Sequence, residues 1–167
     1  GVAIQRARLL EAFVEKQRIQ ESLKLAADIQ MGMLPKDFPA FPDRDDFDLF
    51  ASIIPAKEVG GDFYDFFLID DDHLCFVIGD VSGKGVPAAL FMAVTKTHVA
   101  ASTIPGKEPS DILIRANDEL CKDNDQGMFC TIFYGILNTK TGEVRYSNGG
   151  HNPPYLVRAD GSNEQLD

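Results

Sequence analysis

The chain is 167 residues long, which fits one domain of ordinary size plus an appendage. Its 44% hydrophobic and 25% charged residues describe a globular rather than a disordered chain. The formal net charge of -10 argues against non-specific nucleic-acid binding, which needs cations to neutralise phosphates, and against docking on an anionic membrane.

Residues 1–34 predict one long helix. Strong helix formers fill it, no Pro interrupts it, and the first internal Gly is Gly32. Apolar residues at Leu9, Leu10, Phe13, Val14, Ile19, Leu23, Ala26, Ile29 and Met33 form a ragged stripe with coiled-coil-like steps. Either a parallel helix pair or packing back on the following domain must bury that stripe. A homodimer through the helix is the preferred expectation. Leu34-Pro35 ends the helix, because the residue before Pro is biased out of the helical region. The expected organisation is a coiled-coil-like linker over 1–34 and a second domain over 35–167.

Residues 35–46 hold three Pro and predict a loop; residues 47–54 predict a strand closed by Pro55. Residues 59–69 and 73–81 are aromatic and β-branched and predict a hairpin turning at Asp70-Asp71-Asp72. Ser82-Gly83-Lys84-Gly85 reads as a turn. Pro87 then opens a helix to about residue 102, apolar nearly all round and so largely buried. Ser110 is placed to cap a second helix over 111–122. Residues 128–137, 143–147 and 154–158 predict further strands, with turns at 138–142 and at Asp160-Gly161. Short turns imply antiparallel pairing, and the grouping of strands and helices implies an α+β fold.

Cys75, Cys121 and Cys130 are odd in number and lack a Cys-x-x-Cys, which suggests a reducing cytosol rather than a disulfide framework. No stretch resembles a signal peptide or a transmembrane helix. A cytoplasmic location is the expectation.

The chemistry concentrates in two segments. Val59-Gly60-Gly61-Asp62-Phe63-Tyr64-Asp65 and Gly79-Asp80-Val81-Ser82-Gly83-Lys84-Gly85 each set a carboxylate beside glycine at the end of a strand-like run. Carboxylates and carbonyls are what Mg²⁺ and Mn²⁺ prefer, and glycine leaves room beside them for water and substrate. A lone Gly-Asp reads as a turn; two of them, on strands that pair, point to a divalent metal site able to hydrolyse a phosphate ester. A nucleotide phosphate loop is excluded, since three residues rather than four separate Gly79 from Gly83 and Gly85 replaces the required hydroxyl after Lys84. Lys84, before a helix N-terminus, and Lys57 are candidate phosphate contacts. His151 in Gly-Gly-His-Asn-Pro-Pro reads as shaping its loop rather than as a general acid. Asp65 suits an outer role rather than ligation, His98 a packed helix position and His73 an exposed hairpin.

Four ordered motifs carry a resemblance over residues of about 25 to 160: Asp28-Ile29-Gln30-Met31-Gly32-Met33-Leu34-Pro35; Pro55 to Asp65; Gly79 to Gly85 with Pro87-Ala88-Ala89; and Asn148-Gly149-Gly150-His151-Asn152-Pro153-Pro154. Together they resemble the bacterial metal-dependent serine/threonine phosphatases, the sporulation and stress-response branch of the protein phosphatase 2C superfamily. The resemblance implies an antiparallel β-sandwich flanked by helices, with two Mn²⁺ or Mg²⁺ ions between the sheets of the intact domain. It implies Asp80 as the bridging metal ligand, the Val81 backbone carbonyl as a ligand to one metal, and Asp62 as a ligand to the other. It further implies hydrolysis of phosphoserine or phosphothreonine by metal-activated water, on an anti-sigma-factor antagonist type of protein. The family's later Thr-Asp-Gly, which supplies another metal-binding Asp, has no counterpart here. The expectation is a C-terminally shortened domain with a weakened second metal, an incomplete sandwich and an open sheet edge. An inactive dimerising signalling module is the alternative. The first ten residues resemble the closing helix of a GAF sensory domain, which implies a linker that relays an upstream signal.

Overall fold

The computed structural model describes residues 1–55 and 58–166. A long helix, α1 (Val2–Gly32), leads into the domain. None of its residues is buried, and Leu9, Leu10, Phe13 and Ile19 are all more than half exposed. Within one chain its apolar stripe is therefore uncovered, and packing back on the domain is not its solution. Its last turn does engage: Met31 packs on the core and Leu34, just beyond, is buried in it.

A four-stranded antiparallel sheet follows, in the order β1 (Phe63–Leu68), β2 (His73–Val81), β3 (Cys130–Asn138), β4 (Val144–Gly149). Between β2 and β3 run α2 (Val86–Ser102) and α3 (Pro109–Cys121). A separate two-stranded hairpin, β5 (Tyr155–Val157) with β6 (Asn163–Gln165), is all that stands for a second sheet among the described residues. The α+β antiparallel architecture with a leading helix is as expected.

Side-chain alternation gives the main sheet two faces. Phe63, Asp65, Cys75, Val77, Val81, Ile132, Tyr134 and Ile136 take one face and join Ala88, Met92 and Val99 of α2 and Ile112 and Ala116 of α3 in the core. Each such apolar side chain contributes roughly 1.5–3 kcal/mol by leaving water. Asp80 and Ile78 take the other face, opposite Thr131 and Phe133 in the ladder.

Three expectations need correction. Residues 47–54 form no strand. Their aromatic rings do the packing instead: Phe41 and Phe38 touch Phe66, Phe47 touches Phe41, and Phe50 touches Phe38. Helix α2 is not buried all round, because a single sheet covers only one side of it; Leu90 is 64% and Val94 46% exposed. Ser110 does not cap α3, whose N-cap is Glu108 with Pro109 in the first turn. No helix among the described residues is long and apolar enough to cross a membrane.

Candidate active site

Asp62 precedes β1 and Asp80 sits one residue before the end of β2. The register pairs Phe63 with Gly79, so the antiparallel ladder brings the residues flanking them together. Their carboxyl groups lie within hydrogen-bonding reach of each other. Desolvation in the cleft and then the Asp80 carboxyl raise the Asp62 carboxyl above the ordinary aspartate range, while His151 opposes the shift. Two carboxyl groups pressed together without an intervening cation repel, and that is the arrangement a hard cation relieves.

The third candidate is also in place. Val81 is buried, and its carbonyl lies where a Cβ on Gly61 would sit 2.9 Å from it. The same Cβ would press on the Val81 and Ala88 side chains, so only glycine lets the Asp62 loop come this close to β2 and α2. Beyond Val81, Ser82 exchanges hydrogen bonds with Phe129: its N–H donates to the Phe129 carbonyl at 2.8 Å and its Oγ accepts from the Phe129 N–H at 3.0 Å. Gly83 and Gly85, at φ +87° and +73°, then turn the chain into α2.

Asp62, Asp80, Val81 and Lys84 share one cavity of about 220 Å³ with Gln30 and Leu34. Lys84 lines the same cavity as the carboxylates; Lys57 lies outside the described residues. A second cavity of about 360 Å³, also lined by the same two carboxylates, is walled by Tyr64, Ile78 and His151. The donors are all hard oxygens, two carboxylates with a carbonyl beside them, and Gly61 keeps the space at that carbonyl open. They fit a divalent cation. Among the described residues no group of three or more His, Cys, Asp or Glu side chains assembles so as to hold a metal ion, at this site or elsewhere.

Sequence reasoning missed the positioning residues. The Gln30 side chain donates to the Gly60 carbonyl at 2.5 Å and accepts from the Gly60 N–H at 3.1 Å, which ties the end of α1 to the loop before Asp62. Asp65 is buried against α2, where the Lys96 ammonium donates to it at 2.7 Å. The sequence reading, a turn or outer-shell role rather than ligation, did not foresee this ion pair, because a partner 31 residues away leaves no local signal.

Comparison with known proteins fits this geometry. The family model described as stage II sporulation protein E (SpoIIE) matches residues 70–167, more than half of the chain. Phosphoserine phosphatase RsbU of Bacillus subtilis (strain 168) is 32% identical over 93% of this chain and 44% of its own length. The chain thus spans less than half of this curated relative. The crystal structure of the RsbU and RsbW domains of Rv1364c from Mycobacterium tuberculosis superposes with a TM-score of 0.59 at 30% identity, over 68% of this chain and 32% of that one. The SiaA-PP2C domain of Pseudomonas aeruginosa superposes with a TM-score of 0.65 at 22% identity, over 81% of this chain and 54% of that one, and shares the fold. By that matched model and these likenesses, the chain belongs to the stage II sporulation protein E family, with the fold of a PP2C phosphatase domain.

Proposed function

We propose that residues 35–167 are a metal-dependent phosphatase domain acting on phosphoserine or phosphothreonine in a partner protein, and that residues 1–34 are the linker through which an upstream sensor regulates it. The observation that carries the reading is the meeting of Asp62 and Asp80 in one cleft beside the Val81 carbonyl and Lys84. The relative named a phosphoserine phosphatase supports the substrate class, and an anti-sigma-factor antagonist type of protein is the proposed partner.

In this reading Asp80, Asp62 and the Val81 carbonyl would hold Mn²⁺ or Mg²⁺. Such a cation, when bound, shields the phosphoryl oxygens and lowers the pKa of water. The protein's own residues do the rest. Lys84, ahead of the α2 N-terminus, draws the dianion into the cleft. The carboxylate pair orients the entering water; its oxygen bonds to phosphorus as the ester bond breaks, and a proton of that water passes to the leaving seryl or threonyl oxygen, giving phosphate and the free hydroxyl. No covalent phosphoenzyme is required.

The Gln30 contacts to Gly60 support regulation through α1, since they connect the linker to the loop carrying Asp62. The uncovered stripe on α1 supports a homodimer through that helix. The proposed location is cytoplasmic. A second reading, an inactive dimerising signalling module, is favoured by the absence of a larger ligand cluster among the described residues. Mn²⁺-dependent phosphate release from an aryl phosphate, compared between the wild type and Asp80→Ala, separates the two. Loss of at least a hundredfold in the variant supports the phosphatase; no Mn²⁺-dependent turnover in either supports the module.

A further inference from the structure

We propose that Gln30 is a positioning residue for the cation site: its side-chain amide fixes Gly60, and through Gly60 the Asp62 carboxyl, in the place that takes a divalent ion. The inference rests on the metal-dependent reading above. Gln30 lies in the last turn of α1, 30 residues before its partner. Its Nε2 donates to the Gly60 carbonyl at 2.5 Å and its Oε1 accepts from the Gly60 N–H at 3.1 Å. A backbone N–H only donates and a carbonyl only accepts, so the two bonds together fix which way the amide faces. The chain carrying the amide is itself held, since Met31 packs on the core and Leu34 is buried in it.

The loop before Asp62 needs such a hold. Gly60 and Gly61 give the backbone its greatest freedom immediately ahead of the carboxylate. The close approach to Val81 and Ala88 explains Gly61, but a Cβ on Gly60 would meet nothing within 4 Å. Among the described residues no backbone–backbone hydrogen bond reaches Gly60, Gly61 or Asp62, because the ladder begins at Phe63. The Gln30 amide supplies what a neighbouring strand would, occupying both backbone groups of Gly60 at once. Three successive residues are thus placed along one cavity: Gly60 by Gln30, Gly61 against Val81, and Asp62 against Asp80. Once both carboxyls ionise they repel, and a fixed backbone is what keeps Asp62 where one cation reaches both.

Gln30→Met keeps the length and helix propensity of the side chain and loses both bonds. Gln30→Asn keeps an amide that is one methylene too short to span both Gly60 groups. Mn²⁺ binding by the full chain is read by electron paramagnetic resonance of the free ion, well below the unfolding temperature. A contact that only stabilises the fold lowers that temperature and leaves the affinity of the folded protein unchanged; a positioning contact lowers the affinity. We expect both variants to bind Mn²⁺ roughly tenfold more weakly than the wild type, with the fold intact by circular dichroism. In an Asp62→Asn background, Gln30→Met should change the residual affinity by no more than about twofold, since the route runs through Asp62. Wild-type affinity in both Gln30 variants, or losses at Gln30 and Asp62 that simply add, would overturn the inference and leave the metal reading standing. A wild type that binds no Mn²⁺ would instead sink the metal reading, and the inference with it.

Discussion

Gly61 shows how closely one atom governs the site. A methyl group there would stand 2.9 Å from both the Val81 carbonyl oxygen and the Val81 Cβ, and 3.3 Å from the Ala88 Cβ. Ala88 is fully buried, so α2 cannot yield cheaply. Gly61→Ala is expected to lower stability by about 1–2 kcal/mol, seen in urea unfolding, and to weaken Mn²⁺ binding by displacing the carbonyl. Asp46 is a second case. A hydrogen-bonded Arg44 guanidinium lowers its carboxyl to about 2. Because the folded value lies below the unfolded one, the contribution is present above the ordinary aspartate pKa and is lost as pH falls toward 2. Arg44 also donates to the Asp71 carbonyl and Thr139, so acid should loosen the loop bearing Arg44 from the hairpin ends it joins. The protection factors of amides around residues 41–47, measured relative to the intrinsic exchange rate at each pH, should fall between about pH 4 and 2 in the wild type, and that fall should be absent in Asp46→Asn.

Among the elements, β1 and α2 are joined by one ion pair inside the core. Asp65 is 8% exposed, and Lys96 is its partner at 2.7 Å. Removing one member of such a pair strands a buried charge. Lys96→Met should therefore cost about 3 kcal/mol in chemical denaturation, and Asp65→Leu combined with Lys96→Met should recover most of it. Helix α1 poses the opposite situation, with much apolar surface and no cover. A pair of aspartates at Leu9 and Phe13 is expected to convert a dimer to a monomer in sedimentation equilibrium without changing the domain's thermal unfolding. A monomeric wild type would remove the dimer from the account. The elements also show what a sequence declares. The hairpins were legible because turn residues and β-branched runs act locally: the strand expected over 73–81 matches His73–Val81. The strand expected over 47–54 was not, because alternation alone does not supply a ladder partner, and Phe47 and Phe50 pack as rings against Phe41 and Phe38. Helix α2 misled for a related reason: composition counts apolar residues but not how many layers are present to cover them.

At the scale of the molecule, one sheet carries the site on its ends and the core on its helical face. Asp62 and Asp80 were legible as a candidate pair because the Gly-Asp pairs stand at strand ends, and the ladder does bring them together. Gln30 was not, since its partner, Gly60, is chosen by tertiary approach rather than by spacing. A metal-dependent phosphatase site here requires that the carboxylate pair bind a divalent cation. Titration of the protein with Mn²⁺, followed by electron paramagnetic resonance of the free ion, tests this without any substrate. The prediction is saturable binding by the wild type and at least tenfold weaker binding by Asp80→Asn, with the fold intact by circular dichroism. Equal Mn²⁺ binding by the two proteins would contradict it.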